Sequence, residues 1–133
     1  MGVQTSTATG SDDAAPHFNR AVELHKKGDL AGALTEYRTA LRLHPNDADA
    51  HIHLGSALNV TGDPDGAITE YRTALRLNPN EVEARYNLGN ALKALGRKAD
   101  AREEFTEALR LLPDTPTNQY KIKQVKQRIR ELE

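Results

Sequence analysis

Residues Ala33 to Asn46 read Ala-Leu-Thr-Glu-Tyr-Arg-Thr-Ala-Leu-Arg-Leu-His-Pro-Asn, and Ala67 to Asn80 read Ala-Ile-Thr-Glu-Tyr-Arg-Thr-Ala-Leu-Arg-Leu-Asn-Pro-Asn. A looser third copy runs from Ala101 to Asp114. Pro45, Pro79 and Pro113 fall 34 residues apart, as do Gly28, Gly62 and Gly96. A period of that length means stacked copies of one helical hairpin, because a single copy cannot bury its apolar face alone.

Punctuation within the copies predicts where helices start and stop. Asp12 and Asp13 are candidate caps for a first helix whose apolar positions Phe18, Ala21, Val22 and Leu24 gather on one side before Gly28 ends it. Asp29 opens a second helix that runs to about His44. The second copy is expected to begin with Asn46 as cap and Asp49 in the first turn, and to break at Gly62 before Asp63-Pro64. The third begins with Asn80 and Glu83, close to a capping box. Its inner turn, Gly96-Arg97-Lys98, has no acidic cap, which weakens that helix start by about 1 kcal/mol. After Pro113 a helix from Thr115-Pro116 carries Ile122, Val125, Ile129 and Leu132 on one stripe, with Lys121, Lys123, Lys126, Arg128 and Arg130 largely outside it. Residues 1–11 are rich in Thr, Ser and Gly and have little to bury, so a mobile tail is expected there.

The copies resemble the tetratricopeptide repeat (TPR), a helix-turn-helix unit. Leu54-Gly55, Leu58, Ala67, Tyr71 and Pro79 fill its pattern in the second copy, and Leu88-Gly89, Leu92, Ala101, Phe105 and Pro113 in the third. The first keeps Ala21, Leu24, Ala33, Tyr37 and Pro45, with Arg20 where an apolar residue is usual. His17, His51 and Arg85 stand in place of the family's leading Trp, and the two histidines are expected to be packing residues. The resemblance implies an all-α right-handed solenoid of seven helices, with repeats at about 14–47, 48–81 and 82–115 and a capping helix at about 116–132.

Composition narrows the function classes. The chain has 133 residues and a formal net charge of −1, so it lacks the basic excess typical of nucleic-acid or membrane-surface binding. With no cysteine, disulfides and cysteine-based catalysis or metal sites are out. His51 and His53 lie two apart and point to different helix faces, so no helical chelate is expected. No Gly-rich phosphate loop, nucleophile elbow or paired-carboxylate constellation is present, and neither a cofactor nor catalysis is expected. Glu36, Arg38, Arg42 and Glu70, Arg72, Arg76 read as a solvated convex face held by intrahelical pairs. Without a basic start and an apolar core, the N-terminus is no intact secretory signal, and the default location is cytoplasmic.

The resemblance places function on the first helix of each hairpin, which lines a concave groove. Asn19, His53, Asn87 and Lys121 form one row 34 residues apart; Val22, Ser56 and Asn90 lie a turn further along, and Phe18, Ile52 and Tyr86 one residue before. Amide side chains donate to and accept from a peptide backbone together, and aromatic residues add area at low entropy cost. The expected partner is therefore a protein or peptide segment of unknown identity. Related co-chaperone domains hold a C-terminal carboxylate with Lys, Asn and Arg; here those places carry Phe18, Val22, His53, Glu83 and Asn87, so chaperone tails are not expected as ligands. Alternatives are a self-assembling scaffold, the targeting segment of a larger enzyme, or a designed or recently duplicated array without a ligand.

Overall fold

Aspartates and glycines set the helix ends. The computed structural model describes residues 13–133, so the expected tail over 1–11 and the candidate cap Asp12 lie outside the described residues. Among the described residues seven α-helices follow one another: α1 (Ala14–Lys26), α2 (Leu30–Leu43), α3 (Ala48–Val60), α4 (Pro64–Leu77), α5 (Val82–Ala94), α6 (Lys98–Leu111) and α7 (Gln119–Arg130), the last entered through a 3-10 turn, Pro116–Asn118.

Asp13, Asp29 and Asp63 cap α1, α2 and α4, accepting from the amides of Ala15, Gly32 and Gly66 at 3.1, 3.0 and 2.9 Å. Two expectations shift by one residue. The cap of α3 is Asp47, which accepts from the Ala50 amide at 3.2 Å, while Asn46 belongs to the preceding turn. At α5 the cap position falls on Glu81, not Asn80, and no side chain caps it. In both loops the residue after Pro-Asn is the one whose extended backbone turns into the helix. The start of α6 lacks a side-chain cap, as expected, and Arg97 instead pairs with Asp100 at 2.8 Å. At Gly62 the chain leaves α3 with φ at +91°, the Gly62 amide bonds Asn59 and the Asp63 amide reaches back to Leu58. Two orphan carbonyls are thereby satisfied in a conformation that only glycine adopts without strain.

Packing is closest within the hairpins α1–α2, α3–α4 and α5–α6, and α2, α4 and α6 each stack on the first helix of the next unit. One continuous apolar core threads the array, with Tyr37, Tyr71 and Phe105 among its largest fully buried side chains. Each of these rings comes from a second helix. At Gly55 and Gly89 the first helix lies so close that an added Cβ would stand 2.7 Å from Tyr71 Cε1 and 2.5 Å from Phe105 Cε1. Helix α7 closes the array with Val125 buried and Ile122 and Ile129 half-buried, and Leu132 just beyond its end is buried as well, while Lys123, Lys126 and Arg130 stay in solvent. This is the expected stripe, and it removes from water the apolar face of the third hairpin.

The close approach is testable. Gly89→Ala forces Phe105 or the α5 backbone to move and is expected to cost about 1–3 kcal/mol, read as a lower Tm with helicity retained below it. An unchanged Tm would show that the ring has room to yield.

Candidate functional site

The array curves toward its first helices. α1 approaches α3 directly, and α3 approaches α5, whereas no comparable approach joins α2 to α4 or α4 to α6 among the described residues. Side chains also reach across these junctions. Phe18 of α1 sets the edge of its ring on His53 of α3, with centroids 5.1 Å apart, and Lys121 of α7 lies over the Tyr86 ring of α5 at 4.4 Å.

The ten candidate residues divide by environment. Asn19 is exposed and Asn87 and Asn90 are half-buried, and among the described residues none of the three amides makes a side-chain hydrogen bond. Phe18, Val22 and His53 are half-buried around two hollows in the first part of the groove. One, of about 380 Å³, is walled by Phe18, Asn19, Leu43, His44 and Asp47. The other, of about 230 Å³ and open to solvent, is lined by Val22, His25, Lys26, Tyr37 and His53. Ser56 is engaged with the Tyr71 hydroxyl at 3.2 Å.

Ile52 and Tyr86 depart from the expected apolar row. Both retain only 6% exposure and belong to the core. They occupy interior helices of the array with neighbours on each side, whereas Phe18 sits on the first helix described. Tyr86 packs on Phe105 at 5.9 Å, and its hydroxyl accepts from Arg128 Nε at 3.2 Å. The row as a continuous free apolar strip is therefore absent.

A second departure concerns His17 and His51, which are largely covered but also hydrogen-bonded, and Glu36 and Glu70, which bond to another helix and are not part of a solvated face with intrahelical pairs. His17 Nδ1 meets Glu36 Oε1 at 2.7 Å and His51 Nδ1 meets Glu70 Oε1 at 2.7 Å, tying first helix to second. Arg85 and Glu104 repeat the contact at 2.9 Å. His51 Nε2 also faces the Pro45 carbonyl oxygen at 2.9 Å, as an Arg85 nitrogen faces that of Pro79 at 3.2 Å. Both partners of His51 only accept, so a ring carrying protons on both nitrogens satisfies them together, which Arg85 does permanently. Hydrogen bonds from His17 and then Arg20 hold the Glu36 carboxyl below its ordinary range. The signal was in the sequence as a constant spacing of 19 residues, a cation or histidine followed by glutamate.

Charge in the last part of the groove is largely spent on α7. Lys121 pairs with Glu83 at 3.5 Å, and Glu131 receives Lys93 at 3.0 Å and Arg128 at 3.1 Å. Lys121 thus serves the cap as well as the row in which the sequence places it. Lys26, at the other end, makes no ion pair among the described residues. Among those residues no cluster of His, Asp and Glu could hold a metal, and no helix is long and apolar enough to cross a membrane.

Two family models match the chain: one described as "TPR repeat" over residues 21–62 and one as "Tetratricopeptide repeat" over 60–116. No curated protein matches it in sequence. Among solved structures it is similar to the Yersinia enterocolitica type III secretion chaperone SycD in complex with a peptide of the translocator YopD, at a TM-score of 0.84 and 18% identity, over 89% of this chain and 90% of that one. It is also similar to the TPR2B domain of yeast Sti1 in complex with pHsp70, at 0.83 and 21%, over 90% and 94% of the two chains. The first TPR of Spaghetti (RPAP3) bound to the HSP90 peptide SRMEEVD aligns at 0.75 and 19%, over 86% and 91%.

The α7 contacts carry a pH dependence. Hydrogen bonds from Lys93, then Arg128 and Gln127, hold the Glu131 carboxyl down at about 2. A carboxyl depressed in the folded state stabilises it above the carboxyl's ordinary value and loses that contribution as pH falls toward the depressed one. Amide exchange in α7 is therefore expected to speed up relative to α3 as pH falls from about 4.5 to about 2. Glu131→Gln should remove the difference; if the variant shows the same acid opening, another group controls the docking.

Proposed function

The chain belongs to the tetratricopeptide repeat family, and on that premise we propose that it is a non-catalytic interaction module that binds a peptide segment of a partner protein in its concave groove. The observation that carries the reading is a set of amides that make no side-chain hydrogen bond among the described residues, Asn19 on α1 beside a hollow and Asn87 and Asn90 on α5, together with the hollows bounded by Phe18, Val22 and His53. An amide that has spent neither its donor nor its acceptor inside the protein can give both to a main chain, with little regard to sequence. The hollows take side chains. Affinity is on the order of micromolar, since a small groove must offset the ordering of a flexible peptide.

The SycD and RPAP3 structures in complex with peptides, and the Sti1 domain in complex with pHsp70, support a peptide segment as the kind of ligand. Their own ligands do not transfer. Glu83 stands where a carboxylate-binding cation is needed, and Phe18 and Val22 offer no charge. A chaperone tail ending in a free carboxylate is therefore not the ligand.

Affinity capture from a native extract with the wild-type chain beside an Asn19→Ala, Asn87→Ala, Asn90→Ala triple variant tests the reading, with circular dichroism as the control for helicity. Partners lost only from the variant are the expected result, and equal recovery from both would move the working surface off the groove. Calorimetry with SRMEEVD should give no binding at micromolar concentrations, and clear micromolar affinity would overturn the exclusion of chaperone tails.

A further inference from the structure

The hollow of about 230 Å³ between α1 and α3 differs from the rest of the groove in what it is made of. Residue 22 is Val, where the following copies have Ser56 and Asn90. The Tyr37 hydroxyl is drawn to His25 Nδ1 at 3.3 Å, whereas Tyr71 in the next copy is drawn to Ser56. The His53 ring stands tilted over Tyr37 with centroids 6.0 Å apart, and Phe18 meets the same ring edge-on. His53 Nδ1 donates to the Asp49 carbonyl oxygen at 2.8 Å, which fixes the ring as a wall. The hollow is thus apolar-floored and aromatic-walled. An engineered apolar cavity of roughly 150 Å³ accepts benzene, so a phenyl ring fits here.

Charge at the rim is one-sided. Lys26 borders the hollow without an ion-pair partner among the described residues, beside His25 and His53. The only carboxylates on α1 and α3 are Glu23 and Asp49, and neither is ion-paired to Lys26. At the far end of the groove Lys93, which stands in register with His25, is already paired with Glu131, and the position matching Lys26 is Ala94. Among the described residues, an acidic side chain entering the groove meets an open cation at Lys26, next to the hollow.

Resting on the groove reading above, we infer that the hollow bounded by Val22, His25, Lys26, Tyr37 and His53 is the specificity pocket, and that it takes an aromatic side chain of the partner peptide with an adjacent acidic residue paired to Lys26. The amides further along hold main chain and are indifferent to sequence; this pocket selects.

The probe is acetyl-Gly-Phe-Glu-Glu-Gly-amide, titrated into the 15N-labelled full chain with amide shifts as readout. Saturable shifts centred on Val22, Lys26 and His53 are expected. Replacing Phe by Ala in the probe should weaken binding by roughly tenfold or more, the worth of burying a ring, and replacing both Glu by Lys by about two- to fivefold, the worth of an exposed pair. Lys26→Glu, an exposed change that leaves the core alone, should reverse the Glu-over-Lys preference. Equal binding of the Glu and Lys probes, or no shifts at these residues, overturns the inference. Shifts confined to Asn87 and Asn90 overturn it while leaving the groove reading standing. Shifts at the hollow that track protein concentration with no probe present would name a second copy of the chain as occupant, and would also overturn it.

Discussion

Everything in this array depends on how closely two helices of one hairpin can approach over a buried ring. Phe105 and Tyr71 lie against Gly89 and Gly55 with no room for a Cβ. That contact fixes the spacing of α5 against α6 and of α3 against α4, and the stacking of hairpins follows because each outer helix leaves one apolar face for the next unit. Around this apolar centre the contacts of His17, His51 and Arg85 with Glu36, Glu70 and Glu104 tie the two helices at their exposed edge. Partly exposed ion pairs of this kind add little stability singly. Their use is in alignment: each holds a first helix at one height on its second helix, and so fixes where groove residues emerge.

The first helices bear the consequences unequally. Interior positions such as Ile52 and Tyr86 are claimed by packing, and the C-terminal end of the groove is claimed by α7 through Lys121, Arg128 and Glu131. What remains free is concentrated at the start of the array, around Phe18, Val22 and His53, and at the amides of Asn87 and Asn90. A short solenoid thus has fewer free positions than its repeat number implies, because the closing helix occupies part of the surface it completes.

The repeat period and its glycines, prolines and aspartates were enough to read the seven helices and the closing stripe of α7, since those features are local and recur at 34 residues. Cap positions moved by one residue at Asp47 and Glu81, because Asn and Asp both suit a cap and only the backbone path after Pro-Asn decides between them. The helix-joining glutamates were misread because single-helix geometry offers Glu36 and Glu70 nearby arginines, while their real partners lie on another helix 19 residues back. The hollow at Val22 was out of reach for a further reason: it depends on the relative tilt of Tyr37, Phe18 and His53 from three helices, a property of packing that no spacing encodes.

The near-identity of α2 and α4 reaches beyond the finished fold, into the route by which the chain finds it. With Ala-Leu-Thr-Glu-Tyr-Arg-Thr-Ala-Leu-Arg-Leu in one helix and almost the same text in the other, α1 meets two similar surfaces during folding, with Glu70 standing in its copy where Glu36 stands in the first. Arrays of similar units are prone to such mispairing. The discrimination comes from the small, divergent contacts at the ring: Ala21 against Gly55 beneath it, and His25 against Ser56 at the hydroxyl. The residues that make the copies different around the buried ring are thus also ones that tell the chain which half of itself it has met.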